Sequence, residues 1–138
     1  MRTPRGIRRI VRDQRGQTMA EFALVLPVLV SVLFGIIQFG ILFNNYVTLT
    51  DAVRAGARTA AVSRLSADPV GDTIAKIDSA AGDLDPTKIN PTLPPATAWV
   101  HGNDIQVKAT YPYEIRLPLI GITLASGNLT STTTERVE

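Results

Sequence analysis

The chain has no cysteine and only one histidine, His101. The first absence excludes a disulfide framework, thiolate metal sites and a cysteine nucleophile. It leaves the compartment open, because exported domains can lack cysteine too. A lone histidine leaves no histidine pair for a zinc site. No serine stands in a G-x-S-x-G elbow, and no glycine-rich phosphate loop follows a predicted strand. Asp83 and Asp85 lack the further acids and the closing glutamate of an EF-hand loop. His101 sits beside a turn and reads as exposed and inert. The expectation is a non-enzyme with no cofactor and no metal.

Charge is missing from one long stretch. Phe22 to Phe43, FALVLPVLVSVLFGIIQFGILF, holds no charged residue. As a helix it would reach roughly 33 Å, enough to cross the hydrocarbon core of a bilayer. It is longer than a signal-peptide apolar region, about 7 to 15 residues. A helix apolar on every side could also sit inside a soluble core, but that needs a large protein around it. At 138 residues there is room for one domain and an appendage. The membrane is therefore the expected environment of residues 22–43. A signal peptidase would want an A-x-A pattern at the end of the apolar run. Asn44, Asn45 and Tyr46 stand there instead, and Ala55-Gly56-Ala57 comes a dozen residues late.

Basic charge is concentrated before the span. Residues 1–16 hold six arginines (Arg2, Arg5, Arg8, Arg9, Arg12, Arg15) and one acid, Asp13, so their side chains carry +5. The rest holds eight basic residues and eleven acids, and sits at −3. The chain's basic pI belongs to the leader. Arg54, Arg58 and Arg64 are spread along one predicted helix among alanines, which makes no nucleic-acid surface. No arginine or lysine lies within ten residues after Phe43. The basic flank is expected to stay cytoplasmic, leaving the C-terminal part outside.

The head of the span reads RGQTMAEFALVLP. Gly16 closes the basic leader, and Glu21 stands five residues later at the mouth of the apolar run. A carboxylate at the edge of hydrocarbon is costly and wants a partner. It could equally lie in the headgroup layer, near a helix N-terminus that favours negative charge. The combination of basic leader, Gly-x4-Glu and long apolar helix resembles the type IV pilin class of proteins. That resemblance implies cleavage after Gly16 by a prepilin peptidase, leaving Gln17 as the new N-terminus. Its ammonium would pair with Glu21 in the same or a neighbouring subunit.

Within the span, Pro27 removes one helical hydrogen bond and can bend the axis. It could help the helix pack or be neutral. Ser31 and Gly35 lie four apart, with Gln38 on nearly the same face. Small residues allow close helix approach, and Gln38 could hydrogen-bond across an interface. An unremarkable lipid-facing helix is the other reading of this face.

After the span, NNYVTLTDAVRAGARTAAVSR has no proline and one glycine. Tyr46, Leu49, Val53, Ala57 and Ala60 recur at helical spacing. The helix is expected to continue to about Arg64, with Asp51, Arg54 and Arg58 on other faces. Ala55-Gly56-Ala57 and Ala60-Ala61 present a low surface for packing on a sheet or another helix. The segments GQTMAEFALVLPVLVSVLFGIIQFG and LTDAVRAGARTAAV are similar to the TadE-like family of tight-adherence pilus proteins. The resemblance covers about residues 15 to 62, with one arginine of the family's A-R-x-G-A-R-x-A motif displaced by one place. A looser echo is the threonine-rich end closing in Arg136-Val137-Glu138. It implies a minor pilin or pseudopilin of a type IVb, Flp-type pilus. Its partners would be the membrane, a prepilin peptidase, other pilins and inner-membrane pilus assembly proteins.

Residues 65–138 are read as a small extracytoplasmic domain. Asp72 is expected to cap a short helix, DTIAKIDSAAG, ended by Gly82. Asp83 to Ala98 carries Pro86, Pro91, Pro94 and Pro95 and reads as irregular connection. Trp99–His101, a Gly102-Asn103-Asp104 turn and Ile105–Ile115 read as a hairpin. Pro112 would demote its end to an edge or a bulge. Leu129–Val137 reads as a third strand. The expected class is α+β and pilin-like. Residues 1–16 form the leader, residues 17–64 the membrane helix and its extension, and residues 65–138 the small α+β domain.

Overall fold

A computed structural model describes residues 14–117 and 121–138. The leader up to Asp13, with five of its six arginines, lies outside the described residues. The chain divides into two compact units, Met1–Phe34 and Gly35–Glu138. The α+β class and the order of long helix, short helix and antiparallel sheet are as the sequence predicts.

Helix α1 covers Gln14–Val62 without a break, including Pro27. Its part in the first unit is exposed along nearly all its length. It is long and apolar enough to cross a membrane, and none of its most apolar stretch is buried. It ends two residues before the expected Arg64. The Ser63 hydroxyl donates to Thr59 O and the Ser63 N–H to Ala60 O.

In the second unit, α1 forms one layer of the core. Leu49, Ala52, Val53, Ala57 and Ala60 are fully buried. Ile77 and Ala81 pack on them, with Ile105, Val107 and Ala109 from the sheet, and Leu84, Ile89, Trp99 and Val137 around the edge. The strand residues alternate inward and outward, as one covered sheet face requires. Residues 65–138 therefore do not make a core alone; the helix extension supplies its helical floor.

Helix α2 spans Pro69–Ala80, three residues earlier than expected at its start. Asp68, not Asp72, is the cap. Its Oδ1 accepts from the Gly71 N–H at 2.9 Å, and Pro69 takes the first helical position, where its missing N–H is harmless. Asp72 lies in the first turn instead and accepts from the Ser66 hydroxyl. Gly82, with φ of +58°, follows the C-cap Ala81, as a left-handed stop should.

The sheet has three antiparallel strands in the order β1-β2-β3: β1 is Asn90–Thr92, β2 Asp104–Leu117 and β3 Ile122–Arg136. This corrects three expectations. The proline-bearing stretch 83–98 is not wholly irregular, since Asn90–Thr92 pairs with Lys108–Thr110. Pro91 is tolerated there because β1 is an edge. Trp99–His101 is not a strand. Pro94-Pro95 leads into a 3-10 turn at Ala96–Ala98, and Trp99 turns inward, donating from Nε1 to Pro94 O at 3.3 Å. The glycine turn exists, with Gly102 at φ +84°, but it delivers the chain into β2 rather than joining two strands.

The hairpin is instead β2–β3, and β3 starts at Ile122 rather than Leu129. Ser126-Gly127-Asn128 looks like a turn yet lies within the ladder. Tyr113, opposite Gly127, places its ring where a side chain at 127 would be, with Cε1 only 3.1 Å from such a Cβ. An aromatic covering a cross-strand glycine offsets the packing that glycine lacks. Pro112 pairs with Asn128 without a register shift; the shift falls between Ile115 and Arg116. There Ile115 faces Ala125 and Arg116 faces Thr123, so Leu124 is the extra residue. β1 stops at the level of Thr110, so Pro112 does lie where β2 has a neighbour on one side only.

The chain's end is tied in. Val137 N–H donates to Asn103 O, Gly102 N–H to Val137 O, and Glu138 N–H to Ala61 O at 2.9 Å. The last bond satisfies one of the carbonyls that a helix C-terminus leaves open.

Candidate functional site

The processing residues lie in the first unit. Gly16 and Gln17 are in the first turn of α1 and Glu21 one turn later, all exposed. Gln17 Nε2 donates to Glu21 Oε1 at 3.0 Å, the i to i+4 geometry of one helix face. A side chain built on Gly16 would meet nothing within 4 Å. Packing among the described residues therefore does not demand glycine at this position.

Further along, Pro27 is exposed and its carbonyl accepts from the Ser31 hydroxyl at 2.8 Å as well as from the helix ladder. A side chain built on Gly35 would again meet nothing within 4 Å. Glycine in a helix interior costs about 1 kcal/mol relative to alanine, and no packing among the described residues compensates for it at Gly35. Gln38 does not wait for another molecule: its Nε2 donates to Arg116 O of β2 at 3.3 Å. A cleft of about 160 Å³ beside it is lined by Ile41, Leu42 and Asn45 of α1 and by Tyr111–Ile115 of β2.

The Ala55-Gly56-Ala57 group is consumed within the domain. Gly56 and Ala57 are buried and Ala55 is half-buried. A Cβ on Gly56 would overlap Ile77 Cγ1 and come within 3.0 Å of its Cδ1. The segment Ala52–Arg58 thus turns its small residues inward and its cations outward. Arg54 pairs with Asp51 at 3.5 Å, an exposed contact worth little to stability. Ser31, Gly35 and Gln38 on one side and Ala55–Ala57 on the other are therefore two different surfaces. The structure brings Ala55–Ala57 against α2 and, of the first set, Gln38 against β2.

Sequence reasoning did not find the bonds Gln38–Arg116 and Glu138–Ala61, which join residues far apart in the chain. A polar glutamine in an apolar run was the one available signal, and it pointed to hydrogen bonding without naming the partner. Among the described residues, no three His, Cys, Asp or Glu side chains gather as metal ligands do. Asp85 holds the turn before β1: its Oδ1 accepts from the Thr87 hydroxyl at 2.6 Å and the Thr87 N–H at 3.0 Å. These bonds, with Lys88 nearby, hold its carboxyl below the ordinary value of 3.8.

No curated protein and no solved structure matches the chain. Residues 16–58 match the model of the TadE-like protein family. The match opens on Gly16 and closes on Arg58, so it takes in the Gly-x4-Glu boundary, the apolar run and the inward-facing small residues. Over that segment the chain is similar to the TadE-like family, in line with the likeness of its two motifs to tight-adherence pilus proteins.

Proposed function

We propose that this protein is a minor pilin or pseudopilin of a tight-adherence pilus, structural rather than catalytic, that assists pilus assembly and surface attachment. One observation carries the reading: a glycine that no packing requires stands five residues before a glutamate at the head of an exposed apolar helix. The family match begins at that glycine. Cleavage after Gly16 would leave Gln17 with a free ammonium. It would lie about one helical turn from Glu21 or beside that of a neighbouring subunit, and an ion pair there lets helix ends assemble in apolar surroundings. In this reading α1 spans the inner membrane with its basic end in the cytoplasm. Its partners are the prepilin peptidase, other pilins and inner-membrane assembly proteins.

A second reading is an uncleaved, membrane-anchored accessory or binding protein of an envelope complex. The Gln17–Glu21 hydrogen bond favours it, because it gives the carboxylate a partner in the intact chain. Mass spectrometry of the membrane-extracted protein separates the two. A mature N-terminus at Gln17 supports the pilin reading, and an intact leader in cells with active peptidase excludes it. Glu21→Ala should impair piliation while leaving membrane insertion unchanged.

A further inference from the structure

The β2–β3 hairpin does more than cover the core. Its base lies at the C-terminal end of α1, where Glu138 N–H meets Ala61 O. Its distal part lies beside Gln38, whose Nε2 meets Arg116 O. From Gln38 to Ala61 the helix advances about 35 Å. From Asp104 to Arg116 a strand advances about 40 Å. β2 therefore runs back along α1 for its whole length, toward the apolar run.

The level at which it arrives is informative. Gln38 lies inside the uncharged run, five residues before its end at Phe43, or about 8 Å along the axis. Arg116 is brought to that level, and the hairpin continues beyond it. The sequence after Arg116, up to Ser126, has no charged residue. Two of its large apolar side chains are exposed, Ile122 by 53% and Leu124 by 60%. Leu124 is also the residue that the register skips, so no opposite residue on β2 accounts for it. Arg116, the charge nearest this end, is paired with Glu114.

A second observation fixes the boundary independently. The chain has three tyrosines, Tyr46, Tyr111 and Tyr113. Tyr111 and Tyr113 line the cleft shared with Ile41, Leu42 and Asn45, and Tyr46 is the next residue of the same helix. Tyr46 thus lies three residues past the end of the apolar run, and Tyr111 and Tyr113 stand beside its last turn. Tyrosine favours the headgroup level, where its ring is half in apolar surroundings and its hydroxyl stays wet. The tyrosines mark a water–lipid boundary, and Ile122 and Leu124 lie on its apolar side.

We propose that the start of β3 is a second membrane contact: Ile122 and Leu124 enter the leaflet on the domain's side, beside α1. The occupant of this apolar surface is lipid. Contact is shallow, because strand edges carry backbone groups that hydrocarbon cannot satisfy. Gln38 removes one such group from the count by donating to Arg116 O. The proposal rests on α1 spanning the membrane, and goes beyond it by tying the domain to the bilayer at two places.

The absence of cysteine makes the test direct. Single-cysteine full-length variants Leu124→Cys, Ile122→Cys, Phe39→Cys and Lys108→Cys are labelled with the fluorophore NBD and placed in phosphatidylcholine–phosphatidylglycerol vesicles. Retained Trp99 emission checks that each variant is folded. Nitroxide-labelled phosphatidylcholine should quench positions 124 and 122 to a degree comparable with position 39, and should leave position 108 bright. Quenching at 39 without quenching at 124 and 122 overturns the proposal while the anchor stands. In that case, iodide quenching at 124 assigns this part of β3 to water, and protection from both quenchers assigns it to a protein surface such as a second copy. No quenching at 39 overturns the membrane reading of α1, and the proposal with it.

Discussion

Gly56 of α1 and Ile77 of α2 approach so closely that any side chain at 56 would occupy the place of the isoleucine. Both residues are buried, Ile77 fully. The glycine is required by the distance between two helices, not by its backbone, whose conformation is helical. Gly56→Val should destabilise the domain by about 1–3 kcal/mol through overpacking. Combining it with Ile77→Ala should recover part of that loss, since the two sites share one space. Thermal unfolding of the full chain in detergent, followed by Trp99 emission, measures both. Equal stability of Gly56→Val and the parent would contradict the packing.

Val137 is buried although it is the second-last residue. Val137→Ala removes apolar surface from the core rim and should cost about 1–3 kcal/mol. Deleting Val137 and Glu138 should cost more, because Ala61 O and Asn103 O also lose their donors. The same unfolding measurement decides; a deletion no worse than the alanine would show those bonds to be idle.

Tyr113 covers Gly127 across the hairpin. Tyr113→Ala should cost roughly 0.5–1 kcal/mol, the usual size of a cross-strand aromatic contribution. It should also speed amide exchange in residues 111–115 and 125–129 before the rest of the sheet. Hydrogen exchange confined to no particular segment would argue that the ring does not hold this part of the ladder.

Asp85 gives a pH dependence of known sign. Hydrogen bonds from the Thr87 hydroxyl, then the Thr87 N–H, stabilise its charged form and lower its pKa from 3.8. Its contribution to stability is present above the ordinary carboxylate range and is lost as pH falls through the lowered value. The Thr87 amide resonance should titrate with a midpoint below 3.8, and Asp85→Asn should abolish that titration.

Much of this was legible because one pattern carried it. A charge-free run of helical length, followed by Leu49, Val53, Ala57 and Ala60 at helical spacing, announces α1 and its buried face. The alternation of Ile105, Val107 and Ala109 announces β2. The partner of β2 was harder. Ser126-Gly127-Asn128 and the stretch around Gly121 both carry turn chemistry, and only the ring of Tyr113 over Gly127 makes the former a strand. β1 was hidden by its brevity and by Pro91, which is acceptable only because the other side of that strand is free. Asp68 and Asp72 are both plausible caps, and Pro69 decides between them once the helix is seen to start there. At the candidate site, Gly16, Gln17 and Glu21 could be read in order along the chain. The partner of Gln38 could not, because Arg116 is distant in sequence and offers only a backbone carbonyl.

The continuity of α1 has a consequence for how this protein could ever leave its anchor. Membrane-tethered domains are commonly shed by cutting a flexible stalk. Here the residues between Phe43 and Leu49 are helical, and the core of the domain begins at Leu49 on the same helix. A protease would find no stalk: it would have to unwind a helix whose next turns hold the core together. A cut in that stretch would therefore cost the domain part of its core.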